Sequence, residues 1–262
     1  MPAMSFPHSK WMIATVAALF AGCAKGEQVA QEQTVQGGCQ AVFEANICTW
    51  ATMAGDQVVE FGATIPEALA ANAPLEAEPV FPPLILASIP FPAQAVSATG
   101  FTHLSVSWES HGHPPALFLT PHFDFHFYTI SPDAVQAIDC SDLTKPAQTP
   151  AGYTLPDLDI PDMGTLVGIC VPKMGMHAML ESELSQTEPF GASMIVGYYQ
   201  QKLIFLEPMI ARAKLMDGQS FPLDVPAVPD AGPGVRWPTH FEAVYDGAAQ
   251  AYRFVFSGLP AD

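Results

Sequence analysis

The chain has 262 residues, of which 49% are hydrophobic, enough to form the core of one large domain or two small ones. It carries 26 acidic against 9 basic residues, and its net charge of −17 excludes nucleic acid as an expected partner. The 26 prolines argue against long helices and favour many short strands joined by long connections.

The N-terminal segment has the anatomy of a signal peptide. Lys10 precedes an apolar run, Trp11 to Phe20, which is too short to span a bilayer comfortably and closes at Ala21-Gly22-Cys23. Small residues before a cysteine indicate a bacterial lipoprotein, in which the Cys23 thiol takes a lipid that anchors the chain to a membrane. Because Phe20 stands where Leu is usual, an ordinary secreted protein and a buried N-terminal helix are the alternatives.

We predict that the chain is divided into three segments. We predict a lipoprotein signal peptide over residues 1–22, a flexible polar tether over residues 23–38, and a single β-rich domain over residues 39–262. The expected location is the bacterial cell envelope, with the domain lipid-anchored and facing the periplasm or the cell surface.

The other cysteines support export. Cys39, Cys48, Cys140 and Cys170 form an even set, which suits two disulfides in an oxidising compartment. We predict that Cys39 pairs with Cys48 across a short loop, and that Cys140 pairs with Cys170 around a proline-rich stretch. A zinc site is the competing interpretation, but the sequence has no close cysteine pair of the CxxC kind.

Short β-strands dominate the chain after the tether. Helical turns are expected at residues 65–69 and 132–138, and a long proline- and aspartate-rich connection at 144–163. The predicted strands cover residues 57–61, 103–109, 123–130, 165–171, 192–199, 202–206, 240–245 and 251–256, with hairpin turns at Gln200-Gln201 and Asp246-Gly247. This pattern predicts a mainly β fold, an antiparallel barrel or sandwich with short helices and long Pro-rich loops.

Residues 73–97 form an apolar segment interrupted by prolines. Such a segment cannot stay in water, so we expect its large side chains to lie across the β core or to form a lid. These side chains are Phe81, Leu84, Ile85, Leu86 and Phe91. A patch for a partner or a membrane surface is the alternative.

The stretch from Pro121 to Tyr128 carries the densest chemistry in the chain. Because alternate side chains of a strand share one face, His122, Asp124 and His126 point the same way. The intervening phenylalanines point the other way, where they can anchor the strand in the core. The sequence therefore predicts a rigid polar face.

Imidazole and carboxylate are ligands of zinc, iron, manganese and copper, and two histidines with one carboxylate leave positions open for water or substrate. We predict a metal or small-molecule site on this face, with further candidates at His113, His177, Glu207 and His240. Without a metal, the alternative is that histidine and aspartate satisfy one another and nearby backbone by hydrogen bonds. Glu207 can instead be a strand-end carboxylate in solvent. The methionines of residues 174–179 suit copper, or fill gaps in a core.

Several blocks along the chain resemble a known domain. They are Gly112-His113-Pro114-Pro115, residues 121–128, Met174-Gly175-x-His177, and Gly197-Tyr198-Tyr199 leading to residues 205–210. Together these blocks resemble a bacterial exported domain of unknown function, defined on a Thermus protein under sigma-E-type stress control, the "TTHB-two-ten-like" domain. The resemblance spans about residues 50 to 256 and implies a β-rich exported domain, often a lipoprotein, with no established reaction.

Two features depart from that domain's pattern. Gln200-Gln201 stands where an Asp-Gly turn is expected, and residues 73–101 are unusually apolar and rich in proline. Neither departure touches the histidine blocks.

Three hypotheses for function follow. The first is an envelope protein that binds a ligand or metal ion and serves envelope maintenance or stress response. The second is a cupin-like metal-dependent oxidoreductase or hydrolase. The third is a structural or assembly module, with the apolar segment at residues 80–92 packed between the subunits of a homo-oligomer.

Overall fold

The computed structural model describes residues 31–78, 80–161, 164–186, 188 and 190–260. Within them the strands are β1 (Glu32–Val42), β2 (Ala45–Ala54), β3 (Gln57–Pro66), β4 (Ile85–Pro90), β5 (His103–Glu109), β6 (His122–Tyr128), β7 (Tyr153–Thr154), β8 (Leu158–Ile160), β9 (Gly164–Leu166), β10 (Met176–Leu180), β11 (Ala192–Tyr199), β12 (Lys202–Ala211), β13 (Phe221–Asp224), β14 (His240–Asp246) and β15 (Ala251–Ser257). The helices are α1 (Ala68–Asn72), α2 (Ala93–Thr99), α3 (Pro132–Gln136) and α4 (Arg212–Leu215), and 3₁₀ turns lie at Ala116–Phe118 and Val167–Ile169. The predicted signal peptide, the predicted lipidation site Cys23 and the first residues of the predicted tether lie outside the described residues.

The strands form two large antiparallel sheets. One has the order β1-β2-β3-β15-β14-β13, and the other has the order β4-β5-β6-β12-β11-β10-β7. β8 and β9 pair separately in a small hairpin. Each large sheet is open at two edges, so the predicted mainly β fold is confirmed as a sandwich.

Aromatic rings from the two sheets meet in the core. Phe125 of β6 packs edge-on against Phe254 of β15 with ring centroids 5.0 Å apart, and Phe127 packs against Phe256 at 4.8 Å. These residues are all fully buried. The inward face of β6 is therefore anchored by phenylalanines, as its alternating sequence predicts.

The outward face of β6 is covered as well. A second apolar cluster lies over this side of the seven-stranded sheet and is built largely from the connections between strands; its loop members include Leu117, Phe118, Val135, Ile138, Ile169, Val171, Met174 and Phe190. In consequence all seven residues of β6 are buried, including its histidines and its aspartate. A polar strand face is thus held in an interior, where each charge needs a partner.

The first hairpin corrects the predicted tether. Residues 32–38 belong to β1, which pairs with β2, so the prediction of a flexible tether is wrong for this part. The hairpin turns at Phe43-Glu44, and both residues have positive φ. Such turns are usually signalled by glycine or asparagine, and this sequence has neither at the turn.

The predicted strand at residues 165–171 is a second correction. Only Gly164–Leu166 is a strand, and a 3₁₀ turn follows at Val167–Ile169. Gly168 and Ile169 have φ values of 60° and 46°, which end the extended conformation. By contrast, β5 and β11 have their predicted bounds, and the hairpin turn at Gln200-Gln201 is confirmed.

Both predicted disulfides are present. Cys39 is bonded to Cys48 between β1 and β2, and Cys140 is bonded to Cys170 across the connections that cover the outer face. Two disulfides indicate an oxidising, non-cytoplasmic environment. No helix in the described part of the chain is long and apolar enough to cross a membrane.

Candidate metal centre

Three strands of the seven-stranded sheet bring histidines and carboxylates together on its covered face. The register of β6 and β12 pairs Asp124 with Met209, which places Glu207 beside His126 on the same face. β10 contributes His177 from the other side of β11. His126, His177 and Glu207 are all buried.

These three side chains form a triad with the dimensions of a metal site. The His126 Nε2 atom lies 3.5 Å from His177 Nε2 and 3.6 Å from Glu207 Oε2, and His177 Nε2 lies 3.9 Å from the same oxygen. A point equidistant from the three atoms in their plane is about 2.1 Å from each, which matches zinc bonds of about 2.0–2.2 Å to nitrogen and oxygen. These separations are also too long for strong hydrogen bonds.

A hydrogen bond orients one of the two histidines, and other polar atoms of the triad have no partner. His177 donates its Nδ1 proton to the Ile169 carbonyl at 2.9 Å, which leaves an Nε2 lone pair directed at the triad. Within the described part of the chain, Glu207 Oε2 and His126 Nδ1 are buried without a hydrogen-bond partner. Unpaired buried polar atoms are costly, and a cation between the three ligand atoms would remove that cost for Glu207.

Burial keeps the two imidazoles neutral, which is the form that binds metal. Desolvation, reinforced by His177, lowers the pKa of His126 to about 3, and desolvation also lowers the pKa of His177. Desolvation is the main cause, and repulsion from Asp124 the second, of a pKa of Glu207 that is raised well above its ordinary value. At neutral pH both histidines of the triad are therefore uncharged, and each has one ring nitrogen without a proton that can bind a metal ion.

An aromatic ring and a glycine hold the two imidazoles in place. The register pairs Gly197 with both His177 and Phe205, and a Cβ atom on Gly197 would lie 2.0 Å from a carbon of the Phe205 ring. Because that space is free, the Phe205 ring packs against His126 and His177 with centroid distances of 4.7 and 5.2 Å. The glycine thus allows one ring to contact both histidines.

A second triad lies next along β6 and comprises His113, His122 and Asp124, whose ligand atoms are within 4.8 Å of one another. His122 donates its Nδ1 proton to the Thr120 carbonyl, and His113 donates its own to the Pro114 carbonyl, each at 2.8 Å. His122 Nε2 lies 3.3 Å from Asp124 Oδ1, without hydrogen-bond geometry.

In this second triad an imidazole and a carboxylate favour each other's charged form. Burial opposes charge on both partners, but the imidazole of His122 lowers the pKa of Asp124 to about 2, and Asp124 in turn raises the pKa of His122. Burial, and after it the positive charge that His122 can carry, lowers the pKa of His113 to about 4. The histidines of the first triad are therefore neutral, whereas in the second triad His122 and Asp124 favour each other's charged form. The hydrogen bonds of the second triad's histidines go to nearby backbone carbonyls.

Both triads open into one cavity of about 390 Å³. His113, Asp124, His177 and Glu207 are among the residues that line it. Glu109, which pairs with His122 across β5 and β6, also faces the cavity, and desolvation, with the charge of Asp124, raises its pKa to about 7.

The structure brings together the six predicted ligand residues His113, His122, Asp124, His126, His177 and Glu207. Glu207 is buried and does not lie at a solvated strand end. His240 is exposed on β14 in the six-stranded sheet, where its Nδ1 contacts Thr239 Oγ1 at 2.7 Å. Met174 and Met179 line the cavity, whereas Met176 belongs to the sandwich core.

Sequence reasoning missed Glu109, Phe205 and Gly197 as parts of the site. Only Glu109 had a usable signal, because strand alternation from His103 places it on the same face as the paired histidines.

Fold and site together define a disulfide-bonded antiparallel β-sandwich that carries a buried histidine–carboxylate cluster beneath a cavity. The chain matches no protein-family model, no curated protein and no solved structure.

Proposed function

We propose that this chain is an exported metal-binding protein that holds one divalent first-row transition-metal ion at His126, His177 and Glu207. The observation that carries the proposal is the spacing of three buried ligand atoms, 3.5, 3.6 and 3.9 Å apart. Two imidazoles and one carboxylate suit zinc, iron, manganese or copper, and three protein ligands leave a further position for water or a ligand.

Elemental analysis of the untagged chain, purified without chelator, tests this proposal. We expect one metal ion per chain, and zinc, manganese or iron should bind again after removal with a chelator. The double variant His126→Ala/His177→Ala should lose the ion. The control is His111→Ala/His240→Ala, which removes two exposed histidines outside both triads and should keep it.

The same experiment separates the two triads. The double variant His113→Ala/His122→Ala should retain the metal, because these two histidines belong to the second triad and not to the proposed site. Stoichiometric metal in the His126→Ala/His177→Ala variant, folded by circular dichroism, would contradict the assignment.

A metal-dependent hydrolase or oxidoreductase is the second candidate, and the position of the cavity favours it. His177 and Glu207 line the cavity, so a ligand in it would reach the metal position. A bound zinc ion would supply a Lewis acid or an activated water, and iron or copper would supply redox chemistry. Turnover of ester or phosphoester substrates by the zinc-loaded chain, lost in His126→Ala/His177→Ala, would support the hydrolase.

We also propose that the chain is lipid-anchored through Cys23 in the bacterial envelope, where it serves envelope maintenance or stress response. The Ala21-Gly22-Cys23 sequence and the two disulfides support this address. Cys23→Ser should move the protein from the membrane fraction to the soluble fraction. A variant that stays with the membrane would contradict lipidation at this residue.

A further inference from the structure

The walls of the cavity differ in chemistry from its floor. The polar lining residues are few and belong to the two triads or neighbour them, as Glu109 does. The remaining lining is mostly aliphatic, proline and methionine side chains, among them Ile169, Val171, Met174, Met179 and Met209. None of the lining residues that the structure describes is Lys or Arg.

The mouth of the cavity is apolar as well. The exposed and half-buried residues of the lining include Val80, Phe81, Pro83 and residues of the β8–β9 hairpin. Val80 and Phe81 remain 49% and 45% exposed, although large apolar side chains are usually withdrawn from water. Part of the apolar segment that was predicted to lie across the β core or to form a lid therefore lines the cavity.

We propose that the cavity binds a small organic molecule with an apolar body and one polar end group. Cavities with apolar walls and a few convergent polar groups are the usual form of small-molecule sites, and about 390 Å³ falls within their range of about 300–1,000 Å³. The polar end meets the first triad, and the apolar body lies against the methionines and the β8–β9 hairpin. Without a cationic side chain in its lining, the cavity disfavours phosphates and other polyanions.

This inference rests on the proposed metal site only for the polar end group. A series of straight-chain hydroxamates from two to eight carbons separates the two parts, with binding measured by calorimetry on the zinc-loaded and the chelator-treated chain. Each added methylene should tighten binding about fourfold in both forms, equivalent to about 0.8 kcal/mol, until the cavity is full. Zinc should tighten the whole series by a constant factor.

The gain in affinity per methylene and the constant gain from zinc test different parts of the proposal. If affinity does not change with chain length while zinc still tightens binding, the apolar cavity proposal is overturned and the metal site stands. If the slope is present without any effect of zinc, the cavity stands and the metal site is overturned.

Variants at the mouth locate the binding site. Ile160→Trp, at a half-buried position of β8, should weaken octanohydroxamate at least tenfold by filling the cavity, and Leu166→Trp on β9 should do the same. The control is Leu119→Trp, at a position that is 58% exposed and outside the lining. Equal affinity in all three variants would show that the hydroxamates bind elsewhere and would overturn the proposal.

Discussion

Replacing Gly197 by alanine should weaken both the fold and the proposed metal site, because the new methyl group overlaps the Phe205 ring. The added Cβ would lie 2.0 Å from a ring carbon, whereas ordinary contact begins at 3.4 Å, so the ring must move by about 1.4 Å. Phe205 is fully buried between His126, His177 and Tyr128, so its movement is passed to both ligands.

The expected size of the effect follows from the cost of overpacking and from the precision with which a functional site must be held. Overpacking a dense interior costs about 1–3 kcal/mol in the free energy of unfolding. A functional site must be held within about 0.5 Å, and losing the support of a ligand typically costs about 10–100-fold in metal affinity. We therefore expect Gly197→Ala to unfold at a lower urea concentration and to bind zinc at least tenfold more weakly in competition with a chromophoric chelator.

A control just before the same strand separates the effect of the overlap from the effect of replacing a glycine. Gly191 directly precedes β11, and a Cβ atom there would meet its nearest neighbour, Lys214 Cδ, at 3.9 Å. Gly191→Ala should leave stability and zinc affinity close to those of the parent chain. If Gly197→Ala matched Gly191→Ala in both measurements, Phe205 would not orient the ligands and the reasoning would be refuted.

Two further predictions concern the disulfides and acid. Cys140→Ala/Cys170→Ala should lower the free energy of unfolding by about 4 kcal/mol. It should also weaken zinc binding, because loss of this disulfide frees the loop whose carbonyl orients one histidine of the proposed site. Cys39→Ala/Cys48→Ala should cost about 3 kcal/mol with zinc affinity unchanged, and equal zinc affinity in both variants would contradict this contrast. Burial lowers the pKa of His103 from 6.5 to about 4, so the unfolded chain binds more protons between these values and stability falls as pH drops through this window, by about 3 kcal/mol. Urea unfolding at pH 7 and 4.5 should show a smaller loss for His103→Gln, and an identical loss would remove this residue from the acid response.

Much of the fold was predictable because its signals are local. Strand alternation in β6 placed its phenylalanines in the core and its polar residues on the opposite face. The Asp246-Gly247 pair marked the last hairpin, and the even set of four cysteines pointed to the two disulfides that form. The turn at Phe43-Glu44 has positive φ without a glycine or asparagine, so the sequence does not signal the first hairpin. Residues 32–38 of that hairpin were therefore predicted as part of a tether.

The sequence by itself determined the residue types of the site, because alternation on one strand already places His122, Asp124 and His126 on a common face. Only the tertiary structure decided how these residues are distributed between the two triads. His126 joins His177 and Glu207, which are distant in sequence, because β12 and β10 lie on the same side of β6 within the sheet. Burial of this face was also decided by tertiary structure, since loops from four parts of the chain cover it and desolvate the histidines. Local patterns report on chain neighbours, whereas a metal centre depends on distances between strands that only packing sets.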